Sequence, residues 1–218
     1  MHIKKSLMPT TWPLPRKNKR KRFIAVPSHA SSKCISVLFI LRDVLKIAKT
    51  RKEAKYMTLT GYVKVNNKIR TDENFPVQVL DVIGLEKAKL NYRLEIVNRR
   101  FHLEEISDKE AQLKIVKIGG KKILDGGKVQ MNLEDGQNFI SKDKFSVGDS
   151  VLLNTKEDKI EKILPLKEGA EVEVILGKHA GNKGKLVRFE SLVNGRSYIV
   201  KLNDKEVSLP FKTLLVIK

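Results

Sequence analysis

A single cysteine, Cys34, stands in 218 residues, which excludes an intrachain disulfide and any zinc site built on several thiolates. Histidine is as sparse: His2, His29, His102 and His179 lie far apart and in no ligand spacing, so no metal is expected. No apolar run approaches the roughly 20 residues that a membrane-spanning helix needs, and the N-terminus lacks the apolar stretch of a signal peptide. Neither a membrane partner nor an export route is expected. Catalytic signatures are missing as well. There is no Gly-x-Ser-x-Gly elbow, the glycine pairs do not have phosphate-loop spacing, and nothing beside Cys34 would activate a thiolate. The adjacent acids Glu104-Glu105 would point to opposite faces of a strand and so make a poor acid-base pair. The chain is expected to have no cofactor, no small-molecule substrate and no enzymatic activity.

The most informative absence is acid at the N-terminus. Residues 1–33 carry nine Lys/Arg and no Asp or Glu. The net charge of the chain is +19, so nearly half of the excess lies in its first seventh. Residues 34–84 add nine cations against five acids, 85–164 sixteen against fourteen, and 165–218 ten against six. Such an excess repels itself unless a polyanion offsets it, and nucleic acid is the commonest polyanion. The segment 85–164 is nearly neutral and need not meet one.

Four parts are expected along the chain. Residues 1–33 form a basic extension. Pro9, Pro13, Pro15 and Pro27 forbid a continuous helix, and the run Arg16-Lys17-Asn18-Lys19-Arg20-Lys21-Arg22 has no apolar face. Trp12 either stacks on a base or anchors the arm to its own protein. Residues 34–85 form a small module of two helices and a hairpin. Val37, Leu38, Leu41, Val44, Leu45 and Ala48 repeat at helical spacing, with Arg42, Lys46 and Lys49 as a basic stripe on another face. Thr50 and Glu53 make a capping box for a second helix, which buries Ala54 and Met57 and exposes Arg51, Lys52 and Lys55. Gly61 ends it. Strands then meet at Asn66-Asn67, with Val63, Val65 and Ile69 expected on one face and Lys64, Lys68 and Arg70 on the other.

Residues 86–165 read as a central all-β domain. Its strands are expected at 92–97, 100–106, 112–118 and 147–153, with Gly119-Gly120, Gly126-Gly127 and Asp135-Gly136 as turns. Residues 166–218 contain about five short strands, enough for a small barrel. Within them Gly177, Gly181 and Gly184, mixed with Lys178, His179, Lys183 and Lys185, suggest a loop whose backbone can approach a phosphate chain closely.

These stretches resemble a known family. Leu41-Arg42-Asp43-Val44-Leu45, 48–54 and 61–69 are similar to the S-four RNA-binding module of ribosomal proteins, pseudouridine synthases and some aminoacyl-tRNA synthetases. The Gly177, Gly181, Gly184 stretch looks like a KOW motif. Together with Trp12-Pro13-Leu14-Pro15-Arg16-Lys17, Phe75-Pro76-Val77, Leu80-Asp81-Val82-Ile83 and Val147-Gly148-Asp149-Ser150-Val151, they resemble the small-subunit ribosomal protein S-four-e (S4e) family of archaea and eukaryotes, in order and over nearly the whole chain. Two departures stand out. Tyr56-Met57-Thr58-Leu59-Thr60 replaces the usual Ile-x-x-Gly helix ending, and Asn66-Asn67 replaces Asn-Gly.

The resemblance implies an α+β, multidomain chain: a helix-helix-hairpin RNA-binding module, a central all-β domain, a C-terminal SH3-like β-barrel and a basic N-terminal extension. It implies a non-catalytic constituent of the cytoplasmic small ribosomal subunit, in contact with ribosomal RNA and neighbouring ribosomal proteins. RNA helices hide their base edges, so contacts to shape and backbone are expected. The residues expected to make them are Arg16, Lys17, Lys19, Arg20, Lys21 and Arg22 on the arm, and Arg42, Lys46, Lys49, Arg51, Lys52, Lys55, Lys64, Lys68 and Arg70 on the module. Lys178, His179, Lys183 and Lys185 complete the set. The alternatives are an RNA-modifying enzyme or a free RNA-binding regulator carrying the same module. The catalytic Gly-Arg-Leu-Asp stretch of a pseudouridine synthase is absent.

Overall fold

The structure, a computed structural model, describes residues 2–16, 22–28, 33–141, 143–192, 195–202 and 205–217. The described residues are mostly β, with helical segments at 37–44 and Arg51–Leu59 and a few single 3-10 turns. The chain divides into two compact units, residues 1–112 and 113–218, whereas the sequence suggests divisions at 33/34, 85/86 and 165/166.

The first unit opens with β1 (His2–Lys4), paired antiparallel with β2 (Phe23–Ala25). The basic extension is therefore partly folded onto itself. β3 (Cys34–Ser36) leads into α1 (Val37–Phe39), which continues as a π-helical segment Ile40–Val44. Residues 34–41 are buried all round rather than on one stripe, and Lys46 turns left-handed with φ +57°. The helix therefore ends before Lys46, and the expected basic stripe of Arg42, Lys46 and Lys49 does not form on it. α2 (Arg51–Leu59) follows. As the capping box predicts, the Thr50 hydroxyl accepts the Glu53 N–H at 3.3 Å, while the Glu53 carboxylate reaches one residue beyond the cap, to the Lys49 N–H at 2.7 Å. Ala54 and Thr58 are its fully buried residues, one helical turn apart; Met57, expected in that place, is half-buried.

Strands β4 (Val63–Val65), β5 (Lys68–Ile69), β6 (Pro76–Gln78), β7 (Val82–Leu85), β8 (Leu90–Val97) and β9 (Arg100–Ile106) complete the unit. β6 pairs with β3, and the others form one sheet in the order β5-β4-β7-β8-β9. The strands at 90–106, expected with the central domain, thus extend the module's own sheet. Asn66 and Asn67, at φ +51° and +61°, form the tight turn and pair Val65 with Lys68 and Lys64 with Ile69. Paired residues share a face, so Ile69 lies with Lys64 and is exposed, while Lys68 shares the face of Val63 and Val65. The expected grouping of Lys64, Lys68 and Arg70 fails because a two-residue turn reverses the parity of the second strand.

The second unit begins with β10 (Leu113–Ile123), then β11 (Val129–Leu133), β12 (Asn138–Ser141), β13 (Ser150–Asn154) and β14 (Lys159–Leu164), in the order β12-β11-β10-β13-β14. Gly119-Gly120 is no turn. It lies inside β10 at a register shift between Ile118 and Gly120, where the strand passes from β13 to β11 and bends there. Gly126, Gly127 and Gly136 are turn glycines, at φ +76°, +72° and +89°. β15 (Glu171–Val174), β16 (Lys183–Leu192), β17 (Gly195–Leu202), β18 (Lys205–Pro210) and β19 (Leu214–Val216) form a further sheet in the order β18-β17-β16-β15-β19. Its core holds Val172, Val174, Leu186, Val200 and Leu214, each contributing about 1.5–3 kcal/mol by leaving water.

The stretch Val147-Gly148-Asp149-Ser150-Val151 sutures the two sheets of this unit. Gly148 has φ +106°, and a Cβ there would collide with the edge of the Phe211 ring at its Cε2. The Asp149 carboxylate accepts N–H bonds from Ser146 and Leu166, both at 2.8 Å, and the Ser150 hydroxyl accepts the Val216 N–H at 3.0 Å. Beside them buried Lys117 donates to the carbonyls of Phe211 at 2.5 Å and Leu214 at 2.9 Å, with its ammonium 3.9 Å from the centre of the Phe211 ring. A second buried cation, Lys114, pairs with Asp135 at 2.9 Å.

Candidate nucleic-acid interface

The residues expected to meet a polyanion divide into free cations and cations already engaged. On α2 and the turn before it, Lys46, Lys49, Lys52 and Lys55 are exposed, and none of their ammonium groups has an ion pair among the described residues. Arg51 is different. Its guanidinium bonds the buried Glu73 carboxylate through Nε at 2.8 Å and also through a terminal nitrogen, and this pairing raises its pKa further. Arg42 is held by its neighbour Asp43 at 2.7 Å, and Lys64 by Glu86 at 2.5 Å. Arg70 lies 4.5 Å from the centre of the Phe75 ring. Lys68 is half-buried. Of the module's nine candidates, then, four lysines gather near α2, while the three carboxylate-bound cations have structural partners to give up before they could meet a phosphate.

In the second unit Gly177 and Gly181 adopt φ +95° and +91°, so a turn does form, with Lys178 exposed and His179 half-buried. Gly184 is not in that loop. It lies in β16, where a Cβ would collide with the Lys201 carbonyl, so its lack of a side chain serves strand packing. Lys183 and Lys185, both exposed, sit on the same strand opposite Glu173 and Glu171.

On the arm, Arg16 and Arg22 are described and exposed; Lys17, Lys19, Arg20 and Lys21 lie outside the described residues. Trp12 is an anchor: it is 1% exposed, and its ring centre lies 5.0 Å from that of Phe39. The Phe101 N–H donates to the Thr11 carbonyl at 2.7 Å, and the Arg16 guanidinium closes the strap on the Met8 carbonyl at 2.7 Å. Strap and β8–β9 turn together enclose a groove of 470 Å³ whose walls include Trp12, Leu14, Arg16, Asn98, Arg99 and Arg100. Asn98 and Arg99, at φ +50° and +64°, form the two-residue turn between β8 and β9. The near-neutral charge of 85–164 hid this basic tip; the signal that marks it is Asn-Arg-Arg between two alternating runs.

Among the described residues no three His, Cys, Asp or Glu side chains come together to hold a metal, and no helix is long and apolar enough to cross a membrane.

A mostly β chain with lysines on a helix and a glycine turn, and arginines at a hairpin tip, that have no ion pair among the described residues is of the class suited to lie against a polyanion. Comparison narrows the class. Residues 88–160 match the model of ribosomal family S4e. The small ribosomal subunit protein eS4 of Methanosphaera stadtmanae is 35% identical over 95% of this chain and 87% of its own length. That of Pyrobaculum aerophilum is 34% identical over 93% and 88%. The crystal structure of the 30S ribosomal protein S4e from Thermoplasma acidophilum superposes with a TM-score of 0.73 at 26% identity, covering 85% of this chain and 95% of that one. The chain belongs to ribosomal family S4e.

Proposed function

We propose that the chain is a structural constituent of the small ribosomal subunit in the cytoplasm, where it binds ribosomal RNA through backbone and shape contacts, supports subunit assembly and translation, and catalyses nothing. The observation that carries this reading is similarity along nearly the whole chain to relatives named as small-subunit proteins. The free lysines around α2 suit it, because phosphate contact needs cations that are not already neutralised.

In this reading residues 34–85 are the S-four-like RNA-binding module, with the 90–106 hairpin as an extension of its sheet. The rest of residues 86–165, from β10 onward, is the central β part, and residues 166–218 are the KOW-containing SH3-like barrel. Lys46, Lys49, Lys52 and Lys55 contact phosphates from the module. Lys178, His179, Lys183 and Lys185 do so from the barrel, and the arm from 16 to 22 neutralises further RNA. Arg42, Arg51 and Lys64 chiefly position neighbouring segments.

Tagged chain expressed in its native host should co-sediment with the small subunit at one copy per particle, in salt high enough to strip loose proteins. Recovery only in the light fractions would refute the assignment and favour a free regulator.

A further inference from the structure

We infer that the groove between the N-terminal strap and the β8–β9 turn binds one unpaired nucleotide of RNA. The inference rests on the RNA-binding reading above and adds a place and a substrate class to it.

Three of the nine residues that line the groove are arginine and none is acidic. Arg99 and Arg100 are exposed and have no ion pair among the described residues. Like charges gathered around one hollow repel each other, and an anion relieves that repulsion. Guanidinium groups also match phosphate in a planar, two-toothed way and stack on bases, which lysine cannot do.

The shape separates a nucleotide from a duplex. A duplex presents its phosphates on a convex surface, best met by an open face of cations. A concave space of 470 Å³ falls in the range of roughly 300–1,000 Å³ that takes small ligands. Its wall is mixed: cations at the hairpin tip, and half-buried Leu14 with the buried ring of Trp12 on the strap. That combination suits a splayed nucleotide, with phosphate on the arginines and base against the apolar side. The Trp12 indole N–H is also buried without an acceptor among the described residues, an unsatisfied donor in a lining residue.

The walls are rigid enough to hold such a ligand. Positive φ at both turn residues fixes the tip. The Phe101 N–H bond to Thr11 ties the strap to β9, and the Arg16 bond to Met8 closes the strap on itself.

Trp12 is the only tryptophan of the chain and therefore reports on the groove directly. Full-length protein would be titrated with a short oligouridylate strand, an RNA duplex of the same length, and inorganic phosphate, following Trp12 emission and affinity. The variant Arg99→Asn/Arg100→Gln keeps a residue that tolerates positive φ at 99 and removes both guanidinium groups. Lys156→Ala/Lys159→Ala removes the same charge elsewhere. The single strand should bind more tightly than the duplex and change Trp12 emission saturably. The arginine variant, with an unchanged melting temperature, should lose at least about tenfold in affinity, flatten the salt slope by about 1.4, at roughly 0.7 per contact on single strands, and abolish the emission change. Losses no greater than those of the lysine control would overturn the groove and leave the RNA-binding reading standing. An equal emission change with inorganic phosphate would overturn the nucleotide in favour of a simple anion. No binding of either RNA would overturn both readings.

Discussion

Replacing Gly148 with alanine tests whether the Val147–Val151 stretch sutures the two sheets of the second unit. Two costs add. Gly148 has φ +106°, and an L-residue forced to positive φ loses roughly 1–2 kcal/mol. The new methyl would also collide with the edge of the Phe211 ring, and overpacking of this kind costs about 1–3 kcal/mol. The expected destabilisation is therefore about 2–5 kcal/mol. Gly126→Ala supplies the control, because Gly126 has φ +76° with nothing within 4 Å of the added atom; it should lose only the backbone part, about 1–2 kcal/mol. Native-state hydrogen exchange at the amides of β10 and β19 reads the opening free energy where the suture acts, with the amides of β4 in the first unit as reference. Phe211→Leu in the Gly148→Ala background should recover part of the loss, a coupling of about 1–3 kcal/mol in a double-mutant cycle. Equal losses from Gly148→Ala and Gly126→Ala, or a coupling near zero, would refute the steric argument.

Changing Lys17, Lys19, Arg20 and Lys21 to glutamine should flatten the dependence of log affinity on log salt by about 3 units if all four meet phosphate; parallel lines with the parent protein would remove this run from the interface. Substitution is cleaner than deletion here, since removing residues 1–22 would also take away β1 and the Trp12 anchor. Thr50→Ala should cost about 1 kcal/mol of helix stability, measured by exchange at the α2 amides. The Lys49 N–H holds the Glu53 carboxyl below its ordinary range, so its part of the cap is present above about pH 4.3, the unfolded value, and is lost as the pH falls through the lower folded one. An acid titration of wild type against Glu53→Gln should show the two curves converging at low pH. Burial, aided by Asp81, pushes the Cys34 thiol up to about 11, so a disulfide reagent at mildly alkaline pH should label it only after denaturation. Prompt labelling of the native chain would contradict the packing of β3.

Local chemistry was legible in the sequence wherever one short stretch decides it. Thr50 and Glu53 cap α2, Asn66-Asn67 turn the hairpin, and Gly61 ends the helix at φ +76°, as their side chains dictate. What escaped depends on partners distant in the chain. Ile69 faces solvent because of its pairing across the turn, and Gly119-Gly120 sits in a strand because β10 changes neighbours there. β14 was missed because it is an edge strand carrying Lys159, Glu161 and Lys162, with charge where a core strand would alternate. Among the candidate site residues, charge alone did not tell Lys52, exposed and unpaired, from Arg51, bound to Glu73 twenty-two residues away. The cationic tip at Asn98–Arg100 was averaged away in a segment whose total charge is near zero.

The strap has a consequence for the order in which the chain becomes foldable. Thr11 leaves the site of synthesis ninety residues ahead of Phe101, the residue whose amide it must accept. At about 5–20 residues per second of elongation, that is a wait of roughly 5 to 20 s. During it the N-terminal segment has no β9 to dock on, and the apolar surface of Trp12 and Phe39 is available to chaperones or to wrong partners. The first unit therefore waits on its far end, and a ribosome pause before β9 has cleared the exit tunnel would lengthen the exposure while a later one would not.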